Sequence, residues 1–238
     1  MNRSDFLLIF YLNFFIMTPI PGICSYNSEN VRFDVISQDT IPENQILYNG
    51  RIWRSFNYGA EGNQFLFSGM FLPGSLTMRG KTFTDVGIKY DIYKDELLTP
   101  VNTGGILQLN KEMVDSFSIL FKNKTYRFTR MPEDSSKVLQ GYVNVVYKGK
   151  TSLFVKYNKK IERTAVEGKT DKFYQISRIY FVKDNIIHLI TNTGDLFRVL
   201  NEYKTQIKDF IKKDQLEISK KEPESYIPVI RYYDSISH

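Results

Sequence analysis

The side chains with the clearest potential for chemistry are carboxylates in the stretch TDVGIKYDIYKDELL, residues 84 to 98. Two carboxylates about 5 to 10 Å apart can act as general acid and base in glycoside hydrolysis. Asp91, Asp95 and Glu96 are the candidates for such a pair. Three further carboxylates could reach the same place after folding: Asp85, Glu112 and Asp115. A carboxylate-based glycan hydrolase is therefore one hypothesis for function.

The same stretch also carries a structural pattern. Apolar and aromatic residues alternate with polar ones from Val86 to Ile92, and this period of two is typical of a half-buried strand. The alternation stops at Lys94 and Asp95, and Leu97 begins a new apolar run. No histidine lies nearby in sequence to serve as a base. We interpret the acidic cluster as the end of a hairpin with a solvated face, and we assign no catalytic residue.

The other residue types point away from most familiar active sites. His188 lies inside an apolar stretch, His238 is terminal, and no second histidine stands at metal-ligand spacing from His188. Cys24 is the only cysteine, so neither a disulfide nor a zinc–thiolate site is expected in the folded part. The glycines at 104 and 105 lack the lysine of a phosphate-binding loop. The sequence therefore predicts no metal site and no cofactor.

Aromatic side chains are abundant, at 15% of the residues. A curved sheet rich in tyrosine can bind sugars or apolar ligands by stacking. Trp53, the only tryptophan, and Phe71, in the apolar run FLFSGMFLPG, are the candidate ligand-binding residues. Aromatic residues at strand spacing are more often part of a core, so packing is the first expectation for Trp53.

The N-terminal segment predicts export. Residues 6–17, FLLIFYLNFFIM, form an apolar block that matches a signal peptide and is too short to span a bilayer as a helix. Pro19 and Pro21 follow, and a cleavage site is predicted after Cys24. Lipidation of Cys24 is the alternative, and the sequence leaves the two open. We predict a mature chain without a transmembrane span, located in the periplasm or cell envelope or secreted.

The hydrophobic period predicts the elements that would position these residues. Between residues 46 and 190 the period is two, with turn-forming residues about every ten positions, which favours an antiparallel meander. The predicted strands are 46–56, 64–68, 75–79, 81–93, 97–101, 105–109, 115–121, 124–130, 138–147, 150–161, 173–182 and 186–190. Apolar residues then recur every three or four positions, which predicts a helical hairpin capped at Thr193 and Asn201. A short terminal helix follows, with Pro228 in its first turn.

The predicted fold class is α+β, a large curved antiparallel sheet with a C-terminal helical hairpin and a short terminal helix. A half-barrel is one form that such a meander can take. We divide the chain into a signal peptide (1–24), a flexible lead-in (25–45) and a single domain (46–238). The domain is β-rich over 46–190 and helical over 193–237. The net charge of +6 is spread along the chain without a nucleic-acid-binding module, so nucleic acid is not an expected partner.

Several stretches together resemble a known group of sequences. They are NGRIW, GNQFLFSGMFLPGSL, KYDIYKDELLTP, DSFSILFKNKTYRF, IKDFIKKDQL and VIRYYDSI. Through them the chain resembles a family of small exported envelope proteins of Bacteroidota-type bacteria that has no known activity. The resemblance implies an envelope or periplasmic setting and transfers no functional residue. A looser likeness, by strand count alone, is to half-barrel lipoprotein carriers, whose concave sheet holds acyl chains.

The leading hypothesis for function is a non-enzymatic binding or interaction module of the cell envelope. Export, an aromatic-rich sheet and the lack of a catalytic constellation in the sequence support it. The expected partner is an envelope protein, a lipid or a glycan, and the sequence leaves these open. The alternatives are the glycan hydrolase and a structural subunit of an envelope assembly, which would need an unpaired sheet edge or an exposed apolar patch.

Overall fold

The computed structural model of this 238-residue chain describes residue 47 and residues 49–54, 59–101, 104–132, 137–164 and 170–237. The predicted signal peptide (1–24) and the predicted lead-in (25–45) lie outside these ranges. No helix within the described ranges combines the length and the apolar character that crossing a bilayer requires.

Eleven antiparallel strands in the described ranges form one large curved sheet that does not close. They are β1 (Gly50–Ile52), β2 (Leu72–Met78), β3 (Lys81–Asp91), β4 (Glu96–Pro100), β5 (Ile106–Leu109), β6 (Val114–Phe121), β7 (Lys124–Met131), β8 (Gly141–Lys148), β9 (Ser152–Glu162), β10 (Lys172–Lys183) and β11 (Ile186–Ile190). Their order is β1-β5-β4-β3-β2-β6-β7-β8-β9-β10-β11. Two meanders therefore meet where β6 pairs with β2. The predicted α+β class with a large curved antiparallel sheet is confirmed.

Three helices follow the sheet. They are α1 (Thr193–Val199), α2 (Lys204–Lys213) and α3 (Ile227–Ile236), with 3-10 turns at Asn201–Tyr203 and Pro223–Tyr226. Pro228 lies in the first turn of α3, as predicted. The predicted caps are wrong. Asn192 caps α1 through a capping box with Asp195, and α2 begins after a 3-10 turn without a side-chain cap.

The strand predicted over 64–68 is not formed. Phe67 has a left-handed backbone, with φ of 65°, which an extended strand does not accommodate. The Asn63 side chain also accepts a hydrogen bond from the Phe65 N–H at 2.9 Å, a local turn interaction that competes with strand pairing. Phe65 still forms an isolated bridge with Asp91, which keeps this apolar segment beside β3.

Two large apolar cores lie on the sheet. The first packs β2 to β8 around four rings, those of Tyr90, Phe117, Phe128 and Tyr142. Phe117 and Phe128 stack with their ring centroids 4.6 Å apart, and Tyr90 meets both edge-on. The second core packs the helices on β9 to β11 through Leu196, Leu200, Ile207, Val229 and Ile230. Tyr157 contacts both cores, so β9 connects them.

Asp234 joins α3 to the turn between β8 and β9. Its carboxylate accepts hydrogen bonds from Thr151 N at 3.1 Å, Thr151 Oγ1 at 2.8 Å and the Tyr147 hydroxyl at 3.0 Å. Asp234 and Thr151 are both buried, so these groups have given up water and depend on each other for hydrogen bonds. The contact fixes α3 on the sheet and with it the second core.

Asp234→Ala should lower the free energy of unfolding by about 2–3 kcal/mol, because the Thr151 N–H is left buried without an acceptor. Ser235→Ala is the matched control, since Ser235 is exposed and its hydroxyl donates to Tyr232 O in the same helix. The control should change stability by less than about 0.5 kcal/mol. Urea unfolding followed by circular dichroism measures both variants. Equal losses would show that the Asp234 contact does not hold the helix.

Candidate functional site

A cleft with a volume of about 470 Å³ lies beside the second core, within the size range of small-ligand sites. Its floor is one face of the sheet, where Val155 lies opposite Ile179 and Tyr157 opposite Ser177. Ile190, at the end of β11, completes the floor. We call this site the β10 cleft. The lining residues around the floor include Arg178, Leu189, Thr191, Lys220, Lys221 and Pro223.

The cleft exists because β11 is shorter than β10. β10 has twelve residues and β11 has five, so β11 follows β10 only as far as Ile190 opposite Ile179. Asn192 then caps α1, and the chain leaves the sheet. Beyond that point β11 no longer flanks β10, and Pro223 with the two lysines before it borders the space instead.

The edge of the cleft is basic. Arg178, Lys220 and Lys221 are exposed, and the residues that line the cleft in the described ranges include no Asp or Glu. None of these three side chains forms an ion pair with another described residue. The neighbouring Glu224 is already paired with Lys124 at 2.6 Å. The β10 cleft therefore offers an apolar floor and uncompensated positive charge, which favours an anionic or acidic ligand.

A second group of ionisable residues surrounds Asp95, at the end of the β3–β4 hairpin. The Asp95 carboxylate accepts hydrogen bonds from the Tyr90 hydroxyl and from Lys111 Nζ, both at 2.5 Å. Lys156 Nζ lies 3.7 Å from the same carboxylate, and the Tyr142 N–H donates to it at 3.4 Å. We call these five residues the Asp95 cluster. The cluster ties the hairpin end to β8 and β9, since Tyr142 and Lys156 lie on those strands.

Lys156 and Gly141 make this contact possible. Lys156 Nζ also donates to Gln140 O at 2.8 Å and Tyr142 O at 2.9 Å, which satisfies the buried ammonium group. Burial lowers the pKa of Lys156, and the charge on Asp95 opposes that shift. Gly141 has φ of +86°, and a Cβ there would overlap the Asp95 carboxylate. The Asp95 cluster is thus a hydrogen-bonded contact between distant strands, and neither Asp95 nor Lys156 lines the β10 cleft.

Asp91 is fully buried at the end of β3. Its carboxylate accepts hydrogen bonds from the N–H groups of Tyr93 and Lys94, at 2.9 and 3.0 Å, and from Gln64 Nε2 at 3.2 Å. Burial raises the pKa of Asp91, and these hydrogen bonds oppose the rise. The predicted hairpin is confirmed, and Asp91 holds its turn in place.

The candidate carboxylates do not gather in one cleft. Glu96 lines a separate polar pocket of about 400 Å³ together with Arg51, Gln108 and Lys111, and burial raises its pKa. No other candidate carboxylate lines either of these two pockets. No group of three or more His, Cys, Asp or Glu residues in the described ranges could hold a metal ion. The pair of facing carboxylates that the hydrolase hypothesis requires is not formed in either pocket. The remaining three candidates are exposed: Asp85, Glu112 and Asp115.

Neither of the two aromatic candidates lines either pocket. The Trp53 ring lies 6.0 Å from the Phe65 ring. Lys89 Nζ lies 5.3 Å from the Phe65 ring and 4.4 Å from the Phe71 ring. Burial lowers the pKa of Lys89. Trp53 and Phe71 therefore belong to one packed group around Phe65 and Lys89, and their role in ligand binding stays a prediction.

Sequence reasoning did not select the residues that define the β10 cleft. Arg178 and the lysines at 220 and 221 are isolated charges in sequence, and only folding brings them to one place. Two signals were present in the sequence, namely the unequal lengths of the last two predicted strands and the polar NTGD sequence after the second of them. His188, the histidine inside the apolar stretch, lies half-buried on β11 opposite Phe181 and does not line the cleft.

Known proteins add no further constraint on the site. Comparison of the chain with protein-family models, with curated proteins and with solved structures finds no match in any of the three. The resemblance to exported Bacteroidota-type proteins therefore stays a prediction. Function has to be inferred from the geometry of this chain itself.

Asp95→Asn should lower the free energy of unfolding by about 2–4 kcal/mol, because Lys156 is left as a buried charge without its partner. Asparagine preserves the side-chain shape and tolerates the positive φ of 60° at this position, but it removes the charge together with one of the two acceptor oxygens. Asp115→Asn is the control, since it neutralises an exposed carboxylate and should cost less than about 1 kcal/mol. Urea unfolding measures both.

Gly141→Ala probes the same contact from β8, because the added methyl group displaces the Asp95 carboxylate. If both substitutions act through the Asp95 cluster, the double variant loses less stability than the sum of the single losses. Strictly additive losses would mean that Gly141 and Asp95 stabilise the fold independently.

The contribution of Asp91 to stability should depend on pH. Because its pKa is raised in the folded state, that contribution is fully present below the unfolded pKa of about 3.9 and is lost as pH rises through the folded pKa. Asparagine can accept the same turn hydrogen bonds without ionising. The stability of Asp91→Asn relative to the wild type should therefore rise as the pH is raised above about 3.9 and should level off above the folded pKa. Unfolding curves at each pH test this, and a constant difference would contradict it.

Proposed function

We propose that this protein is a non-enzymatic binding module of the cell envelope and that its partner binds in the β10 cleft. The observation that carries the proposal is the composition of the cleft, with Val155, Ile179 and Ile190 in its floor and unpaired basic side chains at its edge. The Asp95 cluster, another group of ionisable residues in the described ranges, is engaged in internal hydrogen bonds and lines neither the apolar floor nor the basic edge of this cleft.

The apolar block at residues 6–17 supports the envelope setting. Cleavage after Cys24 would give a periplasmic or secreted protein, and lipidation of Cys24 would give an anchored one. Both forms would present the β10 cleft to the lipids, glycans and proteins of the envelope.

The apolar floor and the basic edge of the cleft are expected to contribute differently to ligand binding. Full burial of one apolar side chain of a ligand contributes about 1.5–3 kcal/mol. An exposed ion pair contributes about 0.2–1 kcal/mol and is weakened by salt. The apolar floor should therefore supply most of the binding free energy, and the basic edge should select among ligands of similar shape.

A photoreactive amino acid placed on β11 tests the proposal in intact cells. Leu189 and Ile186 are both exposed apolar residues of this strand, at 46% and 59%, and only Leu189 lines the cleft. A photo-cross-linker at 189 should give a discrete adduct in the envelope fraction, and the same group at 186 should not. Adducts of equal yield at both positions, or none at 189, would refute binding in the cleft.

A further inference from the structure

One edge of β10 is open in its middle. β9 pairs with β10 along its length, but β11 pairs with it only from Ile179 to Lys183. At the other end, Glu61 forms a parallel bridge with Lys172. Between these two contacts, residues 174–178 pair with β9 alone among the described residues. We call residues 174–178 the open edge.

The direction of the backbone groups on the open edge follows from strand geometry. The Phe173 N–H donates to Glu61 O at 3.1 Å, so the peptide groups of Phe173 point away from β9. Backbone groups of residues two apart point to the same side of a strand. The N–H and C=O groups of Gln175 and Ser177 therefore point to the open edge, where a further strand could pair with them.

The β10 cleft lies along this edge. Ser177 and Arg178 line the cleft, as does Thr191, the residue after the last pair of β11 with β10. The cleft thus adjoins the position that β11 would take if Asn192 did not start α1. A strand added here would place alternate side chains over the floor at Ile179 and beside Pro223.

We propose that the open edge and the β10 cleft together bind an extended acidic peptide segment of a partner protein as an additional β-strand. This inference rests on the proposed function and names the kind of partner. The main chain of the peptide pairs with Gln175 and Ser177, its apolar side chains lie on the cleft floor, and its carboxylates face Arg178, Lys220 and Lys221.

The geometry favours a peptide over an anionic lipid. An acyl chain would cover the floor and its head group could meet the lysines, but the row of backbone groups on the open edge would lose water without gaining hydrogen bonds. A peptide strand supplies donors and acceptors at the matching spacing. Five residues at about 3.3 Å each span roughly 17 Å, so a short segment is enough.

The test uses the full-length protein and a library of blocked heptapeptides in which glutamate alternates with randomised apolar residues. Library members should bind, as measured by fluorescence anisotropy, and should slow amide hydrogen exchange at Gln175 and Ser177. Versions with lysine in place of glutamate should bind at least about tenfold more weakly, and so should versions N-methylated at alternate positions. Dodecanoate serves as the lipid-like probe.

Two variants locate the binding. Ser177→Pro removes one N–H group that points to the open edge. Because this N–H does not pair with β9, the variant should still fold, but its affinity for the peptide should fall at least about tenfold. Lys220→Glu with Lys221→Glu should have a similar effect. Lys212→Glu with Lys213→Glu, on the exposed face of α2, is the matched control and should leave the affinity unchanged. If Ser177→Pro does not fold, the lysine variant still decides the outcome.

The possible outcomes separate this inference from the proposed function. If position 189 cross-links to a partner but no library member protects Gln175 and Ser177, the peptide inference is wrong and binding in the cleft stands. A different outcome is that dodecanoate binds as tightly as the best peptide and that this binding is lost in the Lys220/Lys221 variant. This result would identify the cleft as a site for an anionic lipid and would overturn the inference. If position 189 gives no adduct and no probe binds, both are refuted.

Discussion

The contact between the Asp95 carboxylate and Lys156 joins parts of the sheet that lie far apart in strand order. Asp95 stands at the end of the β3–β4 hairpin, and Lys156 stands on β9, five strands from β3 across the sheet. A backbone hydrogen bond from Lys159 N to Ile92 O, at 3.0 Å, lies beside this contact. The curl that results brings the rings of Tyr90 and Tyr142 together in the first core. It also holds β9, whose residues Val155 and Tyr157 line the β10 cleft, so a charge pair outside the cleft supports the candidate site.

This arrangement divides the polar residues of the chain into two kinds. Asp91, Asp95 and Glu96 stay on one hairpin, where Asp91 lies opposite Glu96, but they do not share one set of donors. Asp91 accepts hydrogen bonds from the N–H groups of its turn, and Asp95 accepts one from Lys111 and forms an ion pair with Lys156. Far along the chain, Asp234 accepts hydrogen bonds from Thr151. The basic residues around the cleft have no such partners among the described residues. Burying a polar group without a hydrogen-bond partner is costly, whereas exposing it to water is not. Unpaired charged side chains such as those around the cleft therefore lie at the surface, where a ligand can bind them.

Much of the architecture could be predicted from local patterns in the sequence. The period of two placed β3, β9 and β10 to within about two residues, and the later period placed the helices. The failures occurred where backbone conformation or capping overrides the apolar pattern, as at Phe67 and at Asn192. The Asp95 cluster was not predictable by pattern, and for the β10 cleft the sequence signalled only where β11 ends and not which residues line the space. Both depend on residues brought together from separate strands, and no spacing in the sequence encodes the position of Gly141 beside Asp95.

The short length of the open edge has a consequence for self-association. An unprotected sheet edge normally invites one copy of a protein after another to add strands, which can end in fibrils. Here the Glu61 bridge and the end of β11 at Ile190 limit any added strand to about five residues. A strand that pairs with the open edge cannot extend its pairing past either of these two contacts. The gap thus limits an added strand to a short segment, and a short edge is one of the features by which natural sheets resist edge-to-edge association.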